Sequence, residues 1–226
     1  MPGKLSIVAT PIGNLEDVTL RALKTLKECD EIACEDTRVT GKLMSLLEMK
    51  KPLSSLHEHS TDSAILRILK SIREGSHIVY VCDAGTPGVN DPGGKLVQAA
   101  FEAGIPVEPI PGVSAMTTAI SVCGFPMDDF VYSGFVPHKK GRETFFAEVS
   151  ERKVCTIFFE STHRIDKCIE SLKKHLDPTR NIFVGRELTK MHETLYRGTA
   201  ETVQAALKAT STKGEFVLIV GPKPKR

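Results

Sequence analysis

Apolar positions along this chain switch repeatedly between two periods, short β-rich runs and longer stretches with helical spacing. In the first half, residues 5–10, 31–34, 77–82 and 107–110 read as strands. Residues 19–29, 40–48, 62–74, 94–103 and 114–123 read as helices. Strand and helix taking turns in this way predicts a mostly parallel sheet covered by helices. The segment Gly124-Phe125-Pro126-Met127-Asp128-Asp129 then combines breakers with charge and predicts a domain joint. Beyond it the alternation resumes, with strands at 130–135, 154–160, 182–186 and 216–220 and helices at 142–150, 165–175 and 199–209. The expected architecture is therefore α/β in two domains, 1–123 and 124–226, with mostly parallel or mixed sheets.

Several predicted strands run straight into loops rich in glycine and proline. After 77–82 comes Asp83-Ala84-Gly85-Thr86-Pro87-Gly88-Val89-Asn90-Asp91-Pro92-Gly93-Gly94, where glycines let the backbone approach a ligand and prolines fix the turns between approaches. In open α/β sheets ligands sit at such strand ends. Gly-x-Gly-x-x-Gly is absent from the loop. Gly94-Lys95 is followed by Leu96, with Val89 where a P-loop glycine belongs, so neither a dinucleotide nor a nucleoside triphosphate is favoured. Two companion loops share the character: Ala9-Thr10-Pro11-Ile12-Gly13-Asn14, and Pro109-Ile110-Pro111-Gly112-Val113-Ser114-Ala115.

The strings ATPIGNLEDVTLRAL, ACEDTR, CDAGTPGVNDPG, PIPGVSA, GFVPHKKGRE and FFESTHRI, in this order and each near a strand end, resemble the ribosomal RNA small subunit methyltransferase I family of the tetrapyrrole methylase superfamily. The resemblance spans almost the whole chain. It implies 2′-O-methylation of a cytidine ribose in small-subunit (16S) ribosomal RNA, with S-adenosylmethionine folded into a cleft between two α/β domains of a homodimer. It implies cofactor contacts at Pro11, Asp83, Ala84, Gly85, Val89, Asp91, Ser114 and Ala115. Looser matching extends them to Phe159, Glu160 and Leu188.

Each position also has a plainer reading. Asp83 could cap the amides of its own loop, Asp91 could start the following helix, and Ser114 could be an N-cap. Glu35-Asp36-Thr37-Arg38 either orients a ribose hydroxyl or forms a self-satisfied salt-bridged turn. Glu160, Glu187 and Glu35 are the candidate general bases. His57 and His59 would share a face of a strand, but no third ligand stands at a recognisable spacing and no metal is expected.

Composition adds limits. Lys and Arg total 30 against 28 Asp and Glu, a net charge of +2 over 226 residues, so RNA contact must be a local patch. Lys139, Lys140 and Arg142, with His138 and beside Phe135, Phe145 and Phe146, form the best such patch; Arg164, Arg186, Lys190 and Arg197 extend it. The tail from Pro222 reads as a solubilising end. Six cysteines without a Cys-x-x-Cys pair look like reduced core thiols. No apolar run approaches the ~20 residues of a membrane span, and Met1-Pro2-Gly3-Lys4 leads straight into a strand, so a cytoplasmic enzyme is expected. Two other functions remain open: a methylase acting on a tetrapyrrole or other small molecule, and a non-catalytic RNA-binding module.

Overall fold

The computed structural model describes residues 3–57 and 62–224. The chain divides into two compact units, Met1–Ser114 and Ala115–Arg226.

In the first unit five strands, β1 (Lys4–Val8), β2 (Glu31–Cys34), β3 (Leu53–Ser55), β4 (His77–Val81) and β5 (Val107–Ile110), form one sheet in the order β3-β2-β4-β1-β5. Every pairing in it is parallel. Helices α1 (Leu20–Glu28), α2 (Thr37–Leu46), α3 (Asp62–Arg73) and α4 (Gly93–Glu102) connect the strands. The apolar face of each helix explains where it docks. Ala22 and Leu26, four residues apart on α1, are fully buried against Val8, Ile32 and Val79 of the strands. Thr19 caps α1 by accepting from the Ala22 amide at 3.0 Å. On α3, Ile68, Leu69 and Ile72 join Leu5, Ile78 and Tyr80 in a second cluster.

The second unit begins with α5 (Ala115–Cys123) and carries β6 (Phe130–Phe135), α6 (Arg142–Glu151), β7 (Cys155–Ser161), α7 (Ile165–His175), β8 (Asn181–Arg186), β9 (Thr194–Thr199), α8 (Ala200–Ala209) and β10 (Glu215–Val220). Its sheet order is β6-β7-β10-β8-β9. Only β6 and β7 run parallel; β10 is antiparallel to both its neighbours and β9 to β8. Ile165, Cys168, Ile169 and Leu172 form the buried stripe of α7, at the three- and four-residue spacing of one helix face.

The division between units falls before α5, not after residue 123 as the breakers at 124–129 suggest, because α5 lies against β10. Two strands lacked a sequence signal. β3 has only three residues, and β9 is an edge strand whose run is interrupted by Arg197 and Gly198. All six cysteines are free and buried. No described helix is long and apolar enough to cross a membrane.

Candidate functional site

In the first unit the loops that follow β1, β4 and β5 are tied together. Thr10 and Gly85 exchange both backbone hydrogen bonds, at 2.9 and 3.0 Å. Thr86 Oγ1 donates to the Val113 carbonyl at 2.8 Å. Gly85 sits at the junction with φ +82°, and a Cβ there would lie 3.2 Å from Ile12 Cγ2 and 3.5 Å from the Val113 carbonyl oxygen. Glycine is required by this backbone and by the packing of the loops on each other.

Asp91 organises its own loop. One carboxylate oxygen accepts from the Gly88 and Val89 amides at 2.6 and 2.9 Å; the other accepts from the Gly93 amide at 2.8 Å and from the buried Tyr80 hydroxyl at 3.3 Å. Pro92, not Asp91, is the N-cap of α4 and no side chain caps the helix; Asp91 stands one residue earlier and braces the loop, reaching the helix only through the Gly93 amide. Cys82, pushed up to about 12 by burial, donates to the Ala84 carbonyl at 3.3 Å and is no nucleophile. The side chains satisfy one another and leave backbone exposed. Gly88 has φ +95°, and a Cβ at Gly88 or Gly94 would meet no atom within 4 Å. A small-residue cradle open along its main chain suits a ligand held through amides and carbonyls.

Asp83 reaches sideways to the end of β2, accepting from the Asp36 amide at 3.0 Å. Burial raises the Asp83 carboxyl above its ordinary value. Asp36 in turn caps α2 through the Arg38 amide at 2.8 Å and takes the Arg38 guanidinium at 2.6 Å. Hydrogen bonds from Arg38 hold the Asp36 carboxyl down at about 2. That turn satisfies itself, as the plainer reading has it. Of the histidine pair, His59 lies outside the described residues, as does Glu58. Among the described residues no cluster of His, Cys, Asp or Glu could hold a metal.

The second unit brings its candidate residues to one end of the sheet, where β6, β7 and β8 finish and β10 begins. Glu160 is the centre. Its side chain is 0% exposed and lies between Arg164 Nη2 at 2.8 Å and Arg142 Nη1 at 3.6 Å. Glu160 Oε2 and Arg142 Nη2 are buried without a hydrogen-bond partner. Sealed from solvent and paired with two arginines, the carboxylate is placed as a counter-ion, whereas a general base needs access to the substrate hydroxyl. Arg142 and Arg164, expected on an RNA face, point inward for the same reason. Arg142 donates to the Pro137 carbonyl at 3.3 Å and lies over the Phe146 ring; Arg164 donates to the Val136 carbonyl at 2.9 Å.

Arg186 is also turned in, donating to the Lys213 and His192 carbonyls at 2.6 and 3.0 Å. Glu187 accepts from the Glu215 amide at 2.8 Å and from Lys190 at 3.0 Å, and Lys190 reaches Glu215 at 2.9 Å. Partial burial works to raise the Glu187 carboxyl, but the Glu215 amide and Lys190 outweigh it and hold the group below the usual carboxylate range. Lys190 thus has two carboxylates as partners already. Glu187 and Thr189 have φ +50° and +66°, strained values for residues with side chains. Gly214 leaves room for Glu187, whose Cγ would lie 2.6 Å from a Cβ there. Leu188 is buried against Gly185. A cleft of about 530 Å³ opens beside this turn, lined in part by Arg186, His192, Ser211 and Lys213.

Lys139 and Lys140 remain on the exterior, as does His138. Phe159 packs edge-on against Phe135 and Tyr132. Three further residues hold these loops: Tyr80, which lies outside the quoted strings, and Thr86 and Thr162, which lie within them; the Thr162 hydroxyl bridges the Gly214 amide and carbonyl at 2.7 and 2.6 Å. For Tyr80 the clue in the sequence is a lone tyrosine inside the apolar strand 77–82.

A family model described as Tetrapyrrole (Corrin/Porphyrin) Methylases matches residues 4–204. The ribosomal RNA small subunit methyltransferase I of Halalkalibacterium halodurans is 44% identical, over 96% of this chain and 75% of its own length. The protein of that name from Thermotoga maritima is 39% identical, over 98% of this chain and 99% of its own. Among solved structures, a cobalt precorrin-4 methyltransferase superposes with a TM-score of 0.72 at 16% identity, over 96% of this chain and 94% of that one. The uroporphyrin-III-C-methyltransferase of Thermus thermophilus gives 0.68 at 22% identity, over 97% and 94%. At such identities these two establish the fold alone. The glycine-rich strand ends and the full-length similarity agree: this chain belongs to the ribosomal RNA small subunit methyltransferase I family, within the tetrapyrrole methylases.

Proposed function

We propose that this protein transfers a methyl group from S-adenosylmethionine to the 2′-hydroxyl of a ribose, a cytidine ribose, in small-subunit ribosomal RNA, and that it acts as a homodimer in the cytoplasm. The observation that carries the reading is the agreement of two things. Relatives 39–44% identical over nearly the whole chain are named for methylating this RNA. Two of the motifs shared in the resemblance, those that follow β1 and β4, are joined by the Thr10–Gly85 backbone pair.

S-adenosylmethionine, when bound, supplies an electrophilic methyl on a sulfonium; the ribose oxygen forms the new bond as the carbon–sulfur bond breaks. Pro11, Asp83, Ala84, Gly85, Val89, Asp91 and Ser114 in the first unit, and Ala115, Phe159 and Leu188 in the second, are the residues proposed to hold it. The open backbone at Gly88 and Gly94 fits such a group. Alignment of oxygen, methyl and sulfur supplies ~7–11 kcal/mol of barrier reduction. A general base adds ~10²–10⁴-fold, roughly 3–5 kcal/mol. With Glu160 sealed and Glu187 held as an ion-paired carboxylate, positioning dominates in this reading, and Glu35 is the carboxylate left to test as base. Lys139 and Lys140 supply the exposed positive charge for phosphate contact.

The test is transfer of labelled methyl from S-adenosylmethionine to purified small-subunit particles, followed by alkaline digestion. Label retained in an alkali-resistant dinucleotide is expected, because a 2′-O-methyl group blocks hydrolysis of the adjacent bond. Label on a base, or none, would overturn the assignment.

A further inference from the structure

We propose that Phe135 is a stacking platform for an unpaired base of the RNA substrate, with Lys139 and Lys140 holding the phosphates beside it. This inference rests on the RNA reading above.

Phe135 ends β6 and is 53% exposed. A single exposed apolar side chain is ordinary; its setting here is not. Gly134, at φ +64°, and a break in the β6–β7 register between Tyr132 and Phe135 turn the last residue of the strand. The Phe135 ring is backed edge-to-face by Phe159, at 5.4 Å and 65°, and Phe159 by Tyr132 at 5.5 Å. The ring is thus held by an aromatic neighbour while more than half of the residue remains open to solvent.

The basic loop that follows is also held in place. Arg164 grips the Val136 carbonyl and Arg142 the Pro137 carbonyl, both anchored on buried Glu160, so residues 136–137 are fixed to the sheet. His138, Lys139 and Lys140 project from that base. Among the described residues neither lysine is in an ion pair. A rigid exposed aromatic next to uncompensated positive charge is the combination that binds single-stranded nucleic acid: the ring takes a base face, the lysines take phosphates. Because ring and loop are already ordered, little entropy is lost on binding. Phe159, a proposed cofactor contact, touches the same ring and links base stacking to the reacting end of the sheet.

The experiment compares wild type with Phe135→Leu, Phe135→Ala and Phe135→Trp in the full chain, by anisotropy on a labelled single-stranded RNA across salt and by methyl transfer to small-subunit particles. Leucine keeps the apolar contact with Phe159 but has no π face. Phe135→Leu and Phe135→Ala are expected to weaken RNA affinity about 5- to 150-fold with the salt slope unchanged, and Phe135→Trp to restore it. Methyl transfer should fall through KM. Unfolding midpoints of the leucine and tryptophan variants should match wild type. If wild type binds and methylates RNA and Phe135→Leu behaves like wild type, the platform is wrong while the RNA reading stands. If wild type neither binds nor methylates RNA, both fall.

Discussion

The two units reach similar-looking strand-end sites by opposite means. In the first, loops are joined by backbone pairs and by carboxylates accepting amides, as Asp91 accepts Gly88, Val89 and Gly93, while the main chain at Gly88 and Gly94 stays open. In the second, arginines hold the loops: Arg142, Arg164 and Arg186 all donate to carbonyls, two of them locked on Glu160. A neutral backbone cradle suits a small cofactor recognised along its length. An arginine-braced scaffold keeps these three guanidiniums inside and leaves Lys139, Lys140 and Phe135 exposed. The lesson is that basic residues adjacent in sequence need not share a surface: Arg142 is turned inward while Lys139 and Lys140 are exposed.

The largest expected effect lies on the arginine side. Glu160→Gln leaves two guanidiniums without their buried counter-ion and should destabilise the chain by ~3–5 kcal/mol, the range for breaking a buried pair. Denaturant unfolding measures it. A Glu160→Gln variant with wild-type stability but slow methyl transfer would restore Glu160 as a base and erase the contrast between units.

On the cradle side, Gly85→Val forces a branched residue into φ +82° against Ile12. A loss of ~1–3 kcal/mol is expected, together with loss of cofactor binding, because the Thr10–Gly85 bridge cannot survive intact. Thermal unfolding with and without S-adenosylhomocysteine separates the two effects. Lost binding at full stability would mean that position 85 faces the ligand and not the neighbouring loops.

How far the sequence foretold this contrast depends on the residue. Glycine and proline placement revealed the loops after β1, β4 and β5, since backbone conformation is set locally. Helices with apolar stripes such as α7 were legible from spacing. Side-chain direction was not. Lys139-Lys140-Gly141-Arg142 reads as one basic cluster, yet Arg142 turns toward Glu160, eighteen residues further along by number, and no local pattern encodes that partner. The edge strands β3 and β9 escaped because half-exposed strands lack an apolar run.

A sharper test of that failure uses charge. Lys139→Ala with Lys140→Ala should lower the salt slope of RNA binding by up to ~0.7 per lost single-strand phosphate contact, and leave stability unchanged. Arg142→Ala should do the reverse, losing stability with little change in slope. Equal slope changes for all three would return Arg142 to the RNA face.

The smallest effect concerns the turn after β2. Asp36 is held at about 2 in the folded chain, below the ordinary ~3.9 of an unfolded aspartate. Its contribution is present above pH ~4 and is lost as pH falls toward 2. Asp36→Asn keeps the helix cap but should flatten this part of the stability–pH curve, read from denaturant midpoints. An unchanged curve would show that the Arg38 pair contributes nothing.

The most direct test of the functional claim is mass mapping of ribose methylation across small-subunit ribosomal RNA, in cells lacking the protein and in cells re-expressing it. One 2′-O-methylcytidine should disappear without the protein and return with it, but not with a variant carrying Lys139→Ala, Lys140→Ala and Phe135→Leu together. An unchanged methylation map would contradict the account.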